Sequence, residues 1–542
     1  MSSFQRRDTL SAMARTTYDV VVIGAGMTGS GVALDAASRG LRVALIDGGD
    51  IASGTSSKSS KMVHGGLRYL QQKEFRLVYE NLRERQRLLE NAPFLVRLLP
   101  FLIPLFGNDG VVSKTIVKGY ATALRLYDLS GGWRIGKRYR RVTKDEALAH
   151  LPSLNTDRLV AGFLYQDARG DDARVALTLA RTAALDFNAD VATYVRASAI
   201  THDATGRSNS VVCRDVLTGD TLTISTKSIV NATGVWADDV FAMAEHESSR
   251  HVTPAKGIHV TVPRHRLAAD VAAVLNVPGD RRSIFVVPFE DAPFTFIGTT
   301  DTAYDGPLDQ PECSPHDVAY LLDAVNASTS SHLTLDDITG LWAGLRPLLV
   351  PVKGKHISDR TADLSRRHQV LDSKDGVVHV TGGKWTTYRQ MAQDTVDALG
   401  PYVDQLARVR TKNLRLHGVG SWRPSTTLER HLFGRYGQDT ITVLELIEET
   451  PTLAHETIEG QSYVDAEFVF AVRHEMATSL TDLVTRRTRA HLHDARATLR
   501  QAEAIAALVA PELGWTEDER RSQVEAYRAL VHQEFLAAGL TL

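Results

Sequence analysis

YDVVVIGAGMTGSGVALDAASRGLRVALID, residues 18–47, decides the fold. Tyr18–Ile23 is rich in β-branched residues and reads as a buried strand. Gly24-Ala25-Gly26-Met27-Thr28-Gly29 follows, then a helical stretch through Ser38. Arg39-Gly40 stops that helix, and Leu41–Ile46 reads as a second strand ending at Asp47. Gly24 permits the tight turn, Gly26 lets the backbone approach a pyrophosphate, and Gly29 lets helix and strand pack closely. The N–H groups around Met27 and Thr28 then face the diphosphate from the helix N-terminus. Asp47 can accept hydrogen bonds from a ribose diol. A lone GxGxxG is weak, but with both strands, the helix and the acid in place the unit predicts a dinucleotide site. It does not by itself separate FAD from NAD.

Six residues further on, 53–70 read SGTSSKSSKMVHGGLRYL. Six of the eight residues Ser53–Ser60 carry hydroxyls; Gly65-Gly66 follows, flanked by His64 and by Arg68 and Tyr69. Hydroxyls, flexible backbone and a fixed cation beside a nucleotide site predict a place where a cofactor ring meets an anionic substrate.

The chain of 542 residues is long enough for about two to four domains. Its 43% apolar and 23% charged residues are ordinary for a globular protein, and a net charge of −2 gives no global pull toward nucleic acid. Cys213 and Cys313 form no CxxC or metal-ligand spacing, so a disulfide scaffold is not expected and a cytoplasmic chain is. Residues 1–17 lack the apolar core of a signal peptide.

Three downstream segments favour FAD. Ser228–Gly234 is a short strand ending in a glycine turn, and Ile297–Asp301 is similar. Thr381-Gly382-Gly383-Lys384-Trp385-Thr386-Thr387-Tyr388-Arg389 follows an apolar run and opens a helix. A site assembled from such distant segments suits a long cofactor, and a helix N-terminus stabilises negative charge on a reduced ring. No second glycine fingerprint serves a nicotinamide nucleotide.

TSSKSSKMVHGGLRYL (55–70), YQDARGDDARVAL (165–177), NATGVWADD (231–239), KGIHVTVP (256–263), FIGTTD (296–301), WAGLRPL (342–348) and GGKWTTYR (382–389) together resemble the FAD-dependent glycerol-3-phosphate dehydrogenases, in the family's order. The resemblance implies an α/β fold: a glutathione-reductase-type FAD-binding Rossmann domain with an inserted substrate domain and a C-terminal helical domain. The corresponding ranges are 18–90, 160–255 and 345–400 for the FAD-binding domain, 91–159 and 256–344 for the substrate or cap domain, and 401–542 for the helices. It also implies oxidation of sn-glycerol 3-phosphate to dihydroxyacetone phosphate, with electrons passing to a membrane quinone. The cofactor contacts it implies, beyond the fingerprint and Asp47, are Thr55, Ser56, Ser57, Ser60, Lys61, His64, Gly65, Gly66, Val195, Thr233, Gly234, Trp236, Arg346, Gly383, Lys384, Thr386 and Thr387. The chain departs from the family at Asp47, where many members carry glutamate, and after residue 348. There Ser365-Arg366 aligns best with the family's Ser/Thr-Arg pair, with Arg360 and Arg367 as rivals.

Glycerol 3-phosphate carries nearly two negative charges, and arginine's planar fork suits a phosphate. The candidate cations are Arg68, Arg346, Arg366 and Lys384, with Tyr69 beside Arg68. Oxidising C2 removes a hydride to flavin N5 and a proton from the hydroxyl, so a base must reach that hydroxyl. His64 and His259 are the candidates, and either could instead orient the flavin or a loop. A catalytic metal is not expected: His474-Glu475-Met476-Ala477-Thr478 starts like a zinc-protease helix but has threonine at the second histidine position.

The apolar run 93–107 is short and interrupted by Arg97, Pro100 and Pro104, so it is a poor membrane span. Residues 114–141 hold eight Lys or Arg and one acid among Ile116, Tyr120, Leu124, Leu126, Tyr127, Trp133 and Tyr139. With 93–107 this resembles a peripheral surface for anionic lipid, the alternative being a solvated basic face; no nucleic-acid motif accompanies it. Beyond 401 helical periodicity dominates, with Phe468, Val472, Met476, Leu480 and Val484 at spacing four and Arg473, Arg486, Arg487 and Arg489 nearby. Packing on the FAD domain or a homodimer contact are the readings for that region.

Rival readings are an oxidase of the same substrate that uses oxygen, an amine or amino-acid flavin oxidase, and an idle FAD-binding scaffold. The second wants a carboxylate clamp and not several phosphate-binding cations.

Overall fold

The structure, a computed structural model, describes residues 4–67, 69, 74–107, 112–131, 135–245, 251–280, 282–350 and 367–542. The βαβ unit forms as its pattern dictates. Strand Val20–Ile23 is fully buried, helix Met27–Ser38 crosses over it, and strand Val43–Ile46 pairs parallel to the first. These strands lie inside a six-stranded sheet, in the order His368–Asp372, Val377–Gly382, Ile229–Asn231, Val20–Ile23, Val43–Ile46 and Asp190–Ala192. All neighbours are parallel except the first hairpin. Helices Met27–Ser38, Asp172–Phe187 and Tyr388–Ala398 bury their apolar faces against it. A four-stranded sheet, Thr17–Tyr18 with Val195–His202, Ser208–Asp215 and Thr221–Thr226, flanks it.

The cap is a ten-stranded mixed sheet that carries Val96–Phe106, Leu159–Gly170, Val252–Pro263, Phe294–Gly298 and Gly340–Leu349. Because side chains alternate along a strand, residues 101–103 divide between its two faces. Phe101 and Ile103 point to the side that holds Tyr165, Phe296 and Trp342, where helices Phe75–Asn91 and Lys114–Leu129 supply Val78, Leu82, Leu124 and Tyr127. Leu102 points to the other side, which shares one apolar core with Phe468, Leu480, Ile505 and Val531 of the C-terminal helices. The run 93–107 thus supplies an inner strand, Val96–Phe106, and not a lipid-facing surface. Its prolines are tolerated on that mostly buried strand, where Pro100 and Pro104 sit opposite Gln166 and Gly162. Among the described residues no helix is long and apolar enough to cross a membrane.

The spacing-four pattern at 464–484 does not make one helix. Helix Asp465–Glu475 ends because Met476 takes a left-handed conformation, φ 54°. Asp482 then accepts from the Thr478 and Ser479 N–H groups and starts a new turn. Glu475, from the His-Glu pair, binds Arg174 at 2.8 Å. The arginines that follow face inward. Arg486 and Arg487 both pair with buried Asp50, at 2.6 and 2.8 Å, and Arg489 pairs with Asp172 at 2.9 Å. The C-terminal region is therefore fastened to the FAD-binding domain by charge and to the cap by apolar contact.

Candidate active site

A cavity of about 1150 Å³ lies between the six-stranded sheet and the cap. At its nucleotide end are Gly24, Gly26, Met27, Thr28 and Asp47. Helix Met27–Ser38 has no side chain on its N-cap residue; Ser56 Oγ takes its first N–H, at Met27, and the helix end otherwise opens to the cavity at Thr28, where a ligand anion can approach. A Cβ on Gly29 would overlap the Gly24 carbonyl oxygen, which is why this contact needs glycine although Gly29 itself is off the cavity wall. Asp47 accepts from the Ala25 and Gly49 N–H groups at 2.6 and 2.8 Å. Burial pushes its carboxyl pKa up, against those hydrogen bonds. The glycine cradle, the helix end and this acid fit the diphosphate and ribose of a dinucleotide.

Thr55, Ser56 and Ser60 line the middle of the cavity. Ser56 Oγ accepts from Met27 N at 2.8 Å, and Thr55 Oγ1 donates to the Leu345 carbonyl at 2.6 Å, tying the hydroxyl-rich turn to both domains. Thr233, Gly234 and Trp236 line the same region. Ser57, Lys61, Gly65, Val195 and Thr387 do not reach the wall. Lys61 is turned inward onto Asp172 at 3.1 Å, and burial, with Arg489 close by, lowers its pKa to about 8. Val195 holds Asp47 in place by donating its N–H to the Asp47 carbonyl at 2.7 Å.

At the far end, strand Val377–Gly382 closes on Gly382 and Gly383, both left-handed at φ 74° and 77°. This turn puts Lys384 and Thr386 on the cavity. Lys384 Nζ stands 3.6 Å from the centroid of the Tyr69 ring. Arg346, on cap strand Gly340–Leu349, reaches Thr299 Oγ1 at 3.1 Å, the Thr300 carbonyl at 3.2 Å and Asp301 at 3.4 Å. Arg68 and Arg366 lie outside the described residues, as does the rival Arg360. Arg367 pairs with Glu74 at 2.8 Å on the surface.

His64, Gly66 and His259 also border the cavity. Burial, then the nearby Lys384 and Arg85 charges, push the His64 pKa down to about 3. His259 is pushed well below its ordinary range by burial, then by Lys61 and Arg346. Its ring stacks on Trp342 with centroids 4.7 Å apart, and Nε2 bonds Ser60 Oγ at 2.8 Å. Both imidazoles are therefore neutral at pH 7. Lys58, Arg196 and Arg282 line the cavity without having been singled out in the sequence, and so does the aromatic group Phe101, Tyr120, Tyr165 and Phe285. Lys58 and Tyr165 lie inside two of the motifs quoted above, whereas Arg196, Arg282, Phe101, Tyr120 and Phe285 do not, and only tertiary packing brings them here.

This fold and site define an FAD-dependent oxidoreductase. The chain matches the family described as "FAD dependent oxidoreductase" over residues 19–416, and the "C-terminal domain of alpha-glycerophosphate oxidase" over residues 378–520. It is 39% identical to glycerol-3-phosphate dehydrogenase of Mycobacterium leprae across 98% of this chain and 91% of that one. It is 38% identical to glycerol-3-phosphate dehydrogenase 2 of Mycobacterium bovis with the same coverage. The crystal structure of the FAD-complexed glycerol-3-phosphate dehydrogenase from Bacillus halodurans superposes with a TM-score of 0.78 at 28% identity, covering 100% of both chains. The chain belongs to the FAD-dependent glycerol-3-phosphate dehydrogenase family.

Proposed function

We propose that this protein oxidises sn-glycerol 3-phosphate to dihydroxyacetone phosphate and passes the electrons to a membrane quinone. The observation that carries the reading is the convergence of Lys384, Arg346 and Tyr69 on the cavity that also holds neutral His64. Lys384 and Arg346 neutralise the phosphate, and the Lys256 and Thr300 carbonyls that hold Arg346 fix its fork toward one side. FAD, when bound, supplies the acceptor for the hydride that leaves C2. His64 takes the hydroxyl proton, leaving a ketone. Its low pKa in the free protein comes partly from Lys384, so a phosphate dianion on that lysine raises the proton affinity of His64 when substrate is present. His259, with its ring stacked and Nε2 engaged, orients the wall through Ser60.

Anaerobic mixing of the holoenzyme with glycerol 3-phosphate tests the reaction. Bleaching of the flavin absorbance is expected, and an unbleached flavin would remove the reading. Reoxidation by a quinone analogue faster than by oxygen is expected; fast peroxide formation would favour the oxidase.

Membrane contact is supported by the outer face of helix Lys114–Leu129, which exposes Ile116, Leu126 and Leu129 among Lys114, Lys118 and Arg125. Such a face suits anionic lipid. Flotation with anionic vesicles at low salt should recover the protein, and Leu126→Asp with Leu129→Asp should release it. Equal flotation of the wild type with neutral vesicles would count against this docking.

A further inference from the structure

We infer that Tyr127, Asp167, Arg85 and Asn81 form a buried clamp whose task is to set the orientation of His64; the inference rests on the reading of His64 as the base. Gly65, directly after His64, is held at both of its backbone polar atoms, which belong to the two successive peptide groups on either side of its Cα. Its N–H faces Tyr127 Oη at 2.8 Å and Asp167 Oδ1 at 3.3 Å. Its carbonyl accepts from Asn81 Nδ2 at 3.0 Å. The Tyr127 hydroxyl donates to the Asp167 carboxylate, 2.6 Å from Oδ2. Arg85 closes the group, with Nη1 2.5 Å from Asp167 Oδ1 and 3.0 Å from the Gln166 carbonyl.

All four residues are at most 1% exposed, and they sit in an otherwise apolar cluster with Met62, Val78, Leu82, Leu99, Phe101 and Phe163. An ion pair there, with a phenol and an amide, is not the cheapest way to fill the space. Apolar groups of similar volume often pack as stably or more so. What the polar set provides is direction: the His64–Gly65 peptide is held at its N–H and the Gly65–Gly66 peptide at its carbonyl, so the backbone on both sides of the Gly65 Cα is pinned and the chain leaving His64 is fixed. The space is equally specific. A Cβ on Gly65 would collide with the Leu82 side chain and the Tyr127 hydroxyl, so the clamp closes only on glycine.

The clamp residues come from helix Phe75–Asn91, helix Lys114–Leu129 and strand Leu159–Gly170, three elements apart from the FAD-binding sheet. None of the four touches the imidazole through a hydrogen bond, so they are positioning residues that act through the backbone. A displacement of about 1 Å of a base costs about a hundredfold in rate. This is the scale at which such a clamp matters.

The test uses holoenzyme carrying Tyr127→Phe, which removes one oxygen and keeps the ring, and Asn81→Ala as a second, independent release, of the next peptide on the other side of the Gly65 Cα. Substrate-driven flavin reduction under anaerobic conditions should slow at least tenfold in each, with normal FAD content and a KM for glycerol 3-phosphate within about twofold. In a His64→Gln background neither change should slow the reaction further, because both act through the same ring. A normal reduction rate in folded Tyr127→Phe and Asn81→Ala enzymes would overturn the clamp, as would loss of FAD or of folding in both, which would mark a merely structural role. Losses that add to that of His64→Gln would also overturn it. His64→Gln alone with a normal rate would instead remove His64 as the base, so the two failures are distinguishable.

Discussion

Lys384 Nζ lies 3.6 Å from the centroid of the Tyr69 ring, joining the segment after the first βαβ unit to the last strand of the FAD-binding sheet. A cation over an aromatic face is attracted by the ring quadrupole and held in place. In Lys384→Met, KM for glycerol 3-phosphate should rise about 10- to 100-fold, the worth of a charged hydrogen bond of about 1.5–3 kcal/mol. FAD content should stay near normal. Steady-state kinetics with added inorganic phosphate as competitor checks this, and an unchanged phosphate inhibition constant would refute it.

Gly29 is needed for the approach of helix Met27–Ser38 to the Gly24 turn. Gly29→Ala must push the helix off its strand and spoil the diphosphate cradle. The purified variant should lack the visible flavin spectrum, and added FAD should bind at least tenfold more weakly than to the wild type. A yellow, tightly loaded Gly29→Ala protein would contradict the geometry.

Asp50 is buried between Arg486 and Arg487, whose charges hold its carboxyl below the usual carboxylate range despite burial. Asp50→Asn leaves two buried cations short of a partner, which costs about 3–5 kcal/mol. A clearly lowered Tm is expected, with early proteolysis in the C-terminal helices. Asp404→Asn, at an 84% exposed partner of Lys227, serves as the control and should leave the Tm unchanged.

Acid should destabilise this protein above the range where carboxylates titrate. Burial lowers the pKa of His493 to about 4, and that of His379 to about 4. An unfolded histidine binds its proton below about 6.5, so the unfolded chain binds more protons and stability falls as pH drops from about 6.5 toward 4. Each such histidine contributes up to about 1.4 kcal/mol per pH unit in that window. Urea unfolding at pH 7 and pH 5 measures the difference, and His493→Gln should reduce it by about one histidine's share. An identical pH difference in that variant would refute the assignment.

The sequence by itself determined the nucleotide half of the molecule. From Tyr18 to Asp47 every turn, strand and cap depends on residues that are near one another in the chain, so periodicity and glycine placement are enough to read it. The same holds for the turn that presents Lys384. Tertiary structure alone decided the rest. The run 93–107 carries an apolar signal that fits a membrane face or an inner strand equally well; only pairing with Leu159–Gly170 makes it a strand. The spacing at 464–484 cannot foresee the left-handed Met476. The charges of Arg486 and Arg487 look like surface charge until Asp50 meets them. His64 was legible as a candidate, but the clamp on Gly65 draws on Asn81, Arg85, Tyr127 and Asp167, which no short motif links. Local chemistry is written in neighbouring residues, whereas burial and partner choice are set by long-range register, which a single sequence does not print.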